Sequence, residues 1–369
     1  VPSKTALSAP DRPDPVPAAD DGPAPPPDTT AAREALRRAH ALVEPALLSW
    51  TDRLPTELRR IARYHFGWTD SAGLPDRGLS GKVLRPALVL GCAEAVGGSA
   101  EDALPPAVAV ELVHNFSLLH DDILDGDTTR RHRATAWTVF GSPSALLTGD
   151  ALLSHAFRVL AEDGSPRAAA AVADLADATT RLVDGENTDI GFESRERVPL
   201  DACLGMSEAK TAALLASSCA LGALWAGAAP DRVESLRRFG HHLGLGFQIT
   251  DDLLGIWGDP AVTGKPAGAD LAARKKSLPV TAALGSEGSA ARRLAALYRP
   301  LEADAPEETP ERLAELAELV ERAGGRAWAQ QAAADHGRRA MAALDAAAVT
   351  GPAAEALAAL AALACRRDH

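Results

Sequence analysis

Two acidic pairs, each closing an apolar run, carry the chemistry that stands out in this chain: SLLHDDILDGDTTRRHR at 117–133 and GFQITDDLLGIWGDPAVTGK at 246–265. On a helix, Asp121 and Asp125 are four residues apart and share a face, with Asp122 about 100° round. Neighbouring carboxylates on an apolar helix repel, so a positive partner belongs among them. One or two carboxylates, with water and phosphate oxygens completing the shell, is how Mg²⁺ is held where phosphates are processed. An isolated acid cluster is ordinarily a solvated helix end. Here the apolar ELVHNFSLL precedes it, and Arg130, Arg131 and Arg133 follow within a turn or two. Arginine forks bind phosphate oxygens bidentately, so a metal-binding acid cluster beside an arginine pair reads as a diphosphate site.

The second pair, Asp251 and Asp252, follows Gln248 and runs into a loop containing Lys265. Beyond it, ADLAARKKSLP brings Lys275 and Lys276. The position that matches Asp125 is Gly255. SGKVLRPAL places Lys82 and Arg85 at a helix start, where backbone amides also favour anions, and AKT adds Lys210 and Thr211. Together these groups suit a substrate with many anionic oxygens: two diphosphate sites, one bridged by metal and one held mainly by Lys and Arg.

To deliver both acid pairs to one place, two long helices must end at the same end of a bundle. Ala and Leu recur at three- and four-residue spacings without long Val/Ile/Thr alternation, which predicts an all-α chain. Helices are expected over about 31–62, 82–98, 103–125, 144–162, 166–190, 200–228 and 230–256, with alanine-rich helices from about 288 onward. Breaks fall at GWTDSAGLPDRGLSG (67–81) and GDPAVTGKPAG (258–268). Residues 1–30 hold nine of the 26 prolines and several aspartates, and cannot bury enough apolar area to offset ordering, so they are expected to be a disordered tail. No composition shift follows, so 31–369 reads as a single all-α domain.

The net charge of −12 argues against nucleic acid or an anionic membrane as the main partner. Cys92, Cys203, Cys219 and Cys365 fall in no close pairs and no metal-ligand spacing, which fits buried thiols in a reducing cytoplasm. The N-terminus shows no apolar leader. The longest apolar run, 213–229, contains serines and small residues and reads as a buried helix, not a membrane span.

These residues resemble the trans-isoprenyl diphosphate synthase (polyprenyl synthetase) family. SGKVLRP is similar to its GGKxxRP, and ELVHNFSLLHDDILDGDTTRR to its first aspartate-rich motif with the following arginine pair. AKT is similar to its KT motif, GFQITDD to its FQxxDD, and GKPAGADLAARKKSLP to its GKxxxxDxxxGKxTxP. The resemblance implies an isoprenoid synthase-type bundle of about ten or more helices around a large central cavity, in a homodimer. It implies head-to-tail condensation of isopentenyl diphosphate with dimethylallyl, geranyl or farnesyl diphosphate, using about three Mg²⁺ ions per site. Asp121, Asp122, Asp125, Asp251 and Asp252 would then hold metal. Arg130, Lys210, Thr211, Gln248, Lys265 and Lys275 would hold the allylic diphosphate, and Lys82, Arg85, His114 and Arg131 the isopentenyl diphosphate. An aromatic five residues before the first motif, Phe116, followed by the small Ser117, points by resemblance to the twenty-carbon geranylgeranyl product, with fifteen-carbon farnesyl diphosphate as runner-up. Helix geometry alone turns Phe116 about 140° from Asp121.

Three positions depart from the family pattern: Gly255 for the last aspartate of the second motif, Glu186 for the glutamine of GQxxD (Asp189 retained), and HRAT for a glycine-containing RGxPT. Glu186 could be protonated, lysine-paired or metal-facing. Gly255 is expected one turn beyond the acids, toward loop and solvent, where Gly255→Asp would change little while Asp251→Ala would nearly abolish activity. A class I terpene cyclase on the same scaffold is the rival reading, but it has no use for a second diphosphate pocket, and Lys82, Arg85, His114 and Arg131 all remain. A silent partner subunit would have lost the first acidic motif, which is intact. His241 and His242 read as helix-surface or packed residues, and His120 as a hydrogen-bonding neighbour of the acids.

Overall fold

A computed structural model of the protein describes residues 29–76, 83–260, 267–299 and 308–365. The tail expected over 1–30 thus lies almost wholly outside the described residues, as do Lys82 and Lys265. Helices α1 (Thr30–Thr51), α2 (Thr56–His65), α3 (Leu84–Ala95) and α4 (Leu104–Leu124) lead to a hairpin of β1 (Thr129–Arg130) and β2 (Arg133–Ala134). Then come α5 (Ala136–Phe140), α6 (Ser142–Glu162), α7 (Ala168–Glu193), α8 (Leu200–Ser207), a π turn (Glu208–Ala212), α9 (Ala213–Trp225) and α10 (Pro230–Trp257). The chain continues through α11 (Ala269–Ala272), α12 (Leu278–Gly285), α13 (Ser289–Leu297), α14 (Pro310–Arg322), α15 (Gly325–Ala346) and α16 (Pro352–Cys365). The fold is all-α, and the hairpin is the only sheet among the described residues.

Helix α9 is the axis. Its sequence ALLASSCALGALW is apolar on every face, as a helix enclosed by others must be, and all its residues but Leu224 are buried. Helices α3, α7 and α10 pack around it. Gly222 lets α3 approach: a Cβ there would lie 2.1 Å from the Val89 carbonyl oxygen. Helix α4 lies along α6, and α10 along α15. No helix among the described residues is long and apolar enough to cross a membrane. The 213–229 run is therefore a central helix, as expected.

Three local features differ from the expected elements. The helix expected over 31–62 is two, because Pro55 restricts Leu54 and cannot continue the first ladder; α2 restarts from Pro55 as its N-cap. The helix expected over 200–228 widens into a π turn at Glu208–Ala212, the segment that carries Lys210 and Thr211. RRHR does not continue as a loop but folds into the hairpin, whose two-residue turn, Arg131 (φ 52°) and His132 (φ 62°), has the positive φ pair of a type I′ turn. That turn favours glycine or asparagine, and His132 occupies the position where the resembling motif carries glycine. Arg133 anchors the hairpin: its guanidinium donates to the Thr69 carbonyl (2.9 Å) and lies over the Tyr64 ring.

A non-glycine residue in the left-handed region costs about 1–2 kcal/mol, partly offset by the extra unfolded-state freedom glycine brings. His132→Gly is expected to stabilise the protein by about 0.5–1 kcal/mol, read as a small rise in melting temperature by calorimetry. A lower melting temperature would mean that the histidine side chain contributes contacts beyond the turn.

Candidate active site

The two acid-bearing helices do meet. A cavity of about 250 Å³ is lined by Asp121 from α4, Glu186 and Asp189 from α7, Lys210 and Thr211 from the π turn, and Gln248, Asp251 and Asp252 from α10. Arg85, His114, Ser117, Arg130 and Lys275 complete its polar wall. Helix α4 ends at Leu124 with Asp125 as C-cap, its N–H bonded to the Asp121 carbonyl at 2.8 Å. That cap leaves Asp125 exposed at the rim. Asp122 turns the other way and is 1% exposed. Its Oδ1 accepts from Arg130 Nε at 2.6 Å, while its Oδ2 is buried without a hydrogen-bond partner. Burial raises the Asp122 pKa against the pull of Arg130.

Lys210 is held by two carboxylates of α7. Its Nζ lies 2.7 Å from Asp189 Oδ2, to which it donates, and 2.7 Å from Glu186 Oε2. Burial would lower the Lys210 pKa, but Asp189 and Glu186 more than reverse this and hold the ammonium charged. The geometry depends on Gly185, where a Cβ would lie 2.3 Å from the Lys210 backbone nitrogen. With no side chain there, α7 lies against the π turn, and the widened backbone presents Lys210 to the acids; π turns recur at functional sites. Of the three readings left open for Glu186, lysine pairing is the one observed. Its Oε1 has no hydrogen-bond partner although the residue is 8% exposed. Asp121 feels this charge: burial first, then Glu186, pushes its pKa up to about 7.

Across the cavity a chain of hydrogen bonds fixes α10. Thr211 Oγ1 donates to Gln248 Oε1 (2.7 Å), Gln248 Nε2 donates to Asp252 Oδ1 (2.8 Å), and the Leu278 N–H donates to Asp252 Oδ2 (2.8 Å). The last contact puts a carboxylate at the start of α12, where the helix dipole favours it. Both Asp252 oxygens are thus engaged within the protein, and at 3% exposure burial raises its pKa to about 7. Asp251, on the exposed side of the same turn, faces the cavity. Burial would discharge Lys275, but Asp270, Asp252, Asp189 and Asp251 keep it charged. Its neighbour Lys276 points away, over the Tyr298 ring.

The second basic group is split. Arg85 and His114 line the cavity, the Arg85 Nε buried without a partner. Burial, then the charges of Arg85, Arg131 and Arg130, drives the His114 pKa well down, so the imidazole is neutral. The hairpin turn sends Arg131 to a separate hollow shared with Glu111 and Asn115. Sequence reading passed over Glu111, the buried acid facing Arg85 and Arg131; a lone acid within an apolar helix was the available signal. It likewise assigned nothing to Asp189 as a lysine partner or to Asp270.

Two expectations change. Gly255 is half-buried and lies against Asp270: a Cβ there would lie 2.2 Å from Asp270 Oδ2, the end of a side chain that would have to turn aside to admit an aspartate. Phe116 does not line this cavity; its ring packs edge-on against His120 (4.6 Å) and near Gly149 of α6. Ser117, one turn below Asp121, lines it instead. His120 bonds through Nε2 to the Leu146 carbonyl (3.1 Å), and His242 pairs with His336 through the Nδ1 atoms (3.2 Å), both outside the cavity.

The donor set is all oxygen, and buried carboxylate oxygens of Asp122 and Glu186 lack partners, which suits a hard cation. No three acidic, His or Cys side chains gather around one point among the described residues.

The polyprenyl synthetase family profile matches residues 77–316. A (2E,6E)-farnesyl diphosphate synthase of Mycobacterium tuberculosis is 50% identical over 298 residues, 81% of this chain and 83% of that one. A geranylgeranyl diphosphate synthase of the same organism is 46% identical over 334 residues, 90% of this chain and 93% of that one. The crystal structure of a polyprenyl synthetase from Streptomyces coelicolor superposes with a TM-score of 0.87 at 45% identity, covering 90% of this chain and 99% of that one.

Removing one carboxylate from Lys210 leaves its charge less neutralised. Glu186→Gln should therefore bind inorganic pyrophosphate about five-fold tighter by calorimetry, an effect of about 1 kcal/mol. Weaker binding would show that Glu186 is needed to aim the lysine. Asp121 and Asp252 also set a pH dependence. Their folded pKa values, about 7, exceed the unfolded value of 3.8, so the metal-free protein retains protons that the unfolded chain has released. Their contribution to stability falls as pH rises from about 4 to about 7, and divalent-cation binding, which needs the ionised forms, strengthens over the upper part of that range. Mg²⁺ should raise the melting temperature at pH 8 and hardly at pH 6. Equal rises at both would remove these carboxylates as the controlling groups.

Proposed function

The chain belongs to the polyprenyl synthetase family and is a trans-prenyltransferase that makes short-chain products; we propose that its main product is geranylgeranyl diphosphate, built from isopentenyl and allylic diphosphates with Mg²⁺. The observation that carries the chain length is Ser117. The residue directly below Asp121 on the cavity face is this small side chain, while Phe116 packs aside against α6, so the wall beneath the reacting end is open to a growing chain. Farnesyl diphosphate is the second reading, favoured by the name of the 50%-identical relative.

Three metal ions are proposed, with Asp121, Asp122, Asp125, Asp251 and Asp252 as the residues that would hold them. When bound, Mg²⁺ supplies Lewis-acid charge to the diphosphate oxygens. The side chains do the rest. Arg130, Lys210 and Lys275 take up the negative charge that develops as the allylic C–O bond breaks and its electron pair leaves with diphosphate. Lys265, outside the described residues, would join them, with Thr211 and Gln248 fixing that wall. Arg85 and His114, with Lys82 and Arg131, orient isopentenyl diphosphate so that its double bond attacks the allylic cation and forms the new C–C bond. The proton then lost goes to the departing diphosphate. Arg85 and His114 on the cavity wall favour this two-diphosphate reaction over a cyclase, which ionises a single diphosphate. A homodimer is proposed from the exposed Val139, Leu146 and Leu147 on α5 and α6 and Val183 and Ile190 on α7.

Incubation of the purified protein with Mg²⁺, isopentenyl diphosphate and dimethylallyl diphosphate should yield the twenty-carbon product by chromatography. Ser117→Phe should stop the chain earlier, and Phe116→Ala should lengthen it to a smaller extent. A farnesyl product from the unaltered protein would overturn the chain-length assignment. Cyclic hydrocarbon made without isopentenyl consumption would overturn the condensation itself.

A further inference from the structure

Where the family pattern has an amide at 186, this chain has a carboxylate, and its surroundings are more than those of a lysine partner. Lys210 already has an acid in Asp189, at 2.7 Å, so Glu186 is a second carboxylate on one ammonium. Its Oε2 meets Lys210, but Oε1 has no hydrogen-bond partner, on a side chain 10% exposed in the cavity wall. A buried carboxylate oxygen left so keeps its full desolvation cost, and the position calls for a cation.

The facing helix supplies the other half. On α7, Glu186, Asp189 and Glu193 are spaced i, i+3, i+7 and form one stripe, and on α4 Asp121 and Asp125 are spaced i, i+4. The two stripes lie near each other at both levels. Burial, then Asp125, raises the Glu193 pKa, as burial, then Glu186, raises that of Asp121. Asp121 and Glu186 line the same cavity, and Arg130 is bonded to Asp122. Lys210 thus offsets one of the two charges it touches on α7, and the gap between α4 and α7 stays acidic. We propose that Glu186 and Asp121 form a seat spanning α7 and α4 that takes one hard divalent cation, such as Mg²⁺, before any diphosphate arrives. Mg²⁺ needs one or two carboxylates, with water for the rest of its shell. A neutral amide at 186 would leave α4 alone to hold the ion until a diphosphate brought further oxygens. When a diphosphate takes up Lys210, Glu186 is left wholly to the cation. The inference rests on the prenyltransferase reading of the cavity.

The test uses the full chain at pH 8, with Asp121 ionised and no diphosphate present. Mg²⁺ titrated by calorimetry should bind the unaltered protein, and Glu186→Gln, which keeps the shape of the side chain, should weaken binding at least about 10-fold. Asp121→Asn should do the same from the other helix. The double variant should be no more than about 3-fold worse than either single one, because the same ion is lost each time. Glu193→Gln, which removes a charge from the exposed end of α7, should change affinity less than about 2-fold. Metal-free binding of inorganic pyrophosphate gives a second readout. Glu186→Gln should gain affinity for it while losing Mg²⁺, a pair of opposite changes that a disturbed fold does not produce. If that variant does not fold, Asp121→Asn still decides. Unchanged Mg²⁺ affinity in either single variant, losses that add in the double variant, or an equal loss in Glu193→Gln overturns the proposal. Mg²⁺ binding to the unaltered protein only with pyrophosphate present also overturns it, while the reading of the cavity stands. No Mg²⁺ binding even with pyrophosphate would sink that reading as well.

Discussion

Carboxylates buried at the ends of apolar helices must be compensated, and the architecture of this protein follows from that requirement. An unpaired buried charge is costly, and a pair is tolerable only when geometry and extra hydrogen bonds are good. Here each buried acid has a cation: Asp122 has Arg130, Glu186 and Asp189 share Lys210, and Asp252 and Asp270 flank Lys275. These cations are also the ones that suit a diphosphate. A diphosphate bound there would exchange partners in a site already assembled, which would leave little to reorganise at the moment of reaction.

The compensation works only because backbones come close. Gly185 brings α7 against the π turn, and the extra residue in that turn sets Lys210 and Thr211 toward opposite partners, the acids of α7 and Gln248 of α10. From Gln248 the hydrogen bonds run on through Asp252 to the start of α12. A shift of any one of these helices would misplace charges on two walls together. The enclosed, apolar α9 beneath them is the rigid support.

Much of this was legible in the sequence, for definite reasons. Acid pairs that end apolar runs could be read as helix ends pointing to one place, and helix geometry already turned Phe116 about 140° from Asp121. The rest was fixed by contacts between distant segments. The π turn depends on Gly185, some twenty-five residues upstream of Lys210. Arg130 and Arg131 are neighbours in sequence, but a two-residue turn with positive φ sends one to Asp122 and the other toward Glu111. The neighbour of half-buried Gly255 is Asp270, fifteen residues further on, which local helix geometry could not show.

The departures from the family pattern also make sense together. The pattern has a carboxylate at 255 and an amide at 186, and this chain has glycine and glutamate, so the number of acidic groups around the cavity is conserved while one moves from α10 to α7. On α10, Gly255 leaves room beside it for the carboxylate of Asp270, which the family pattern also carries. On α7 the added charge falls on Lys210 and, through space, on Asp121, whose pKa it helps push to about 7. The result is a cavity whose metal-free state carries more repulsion on the α4–α7 side than the family pattern would. A divalent cation bound there would neutralise the acids, and a diphosphate would take over the lysine.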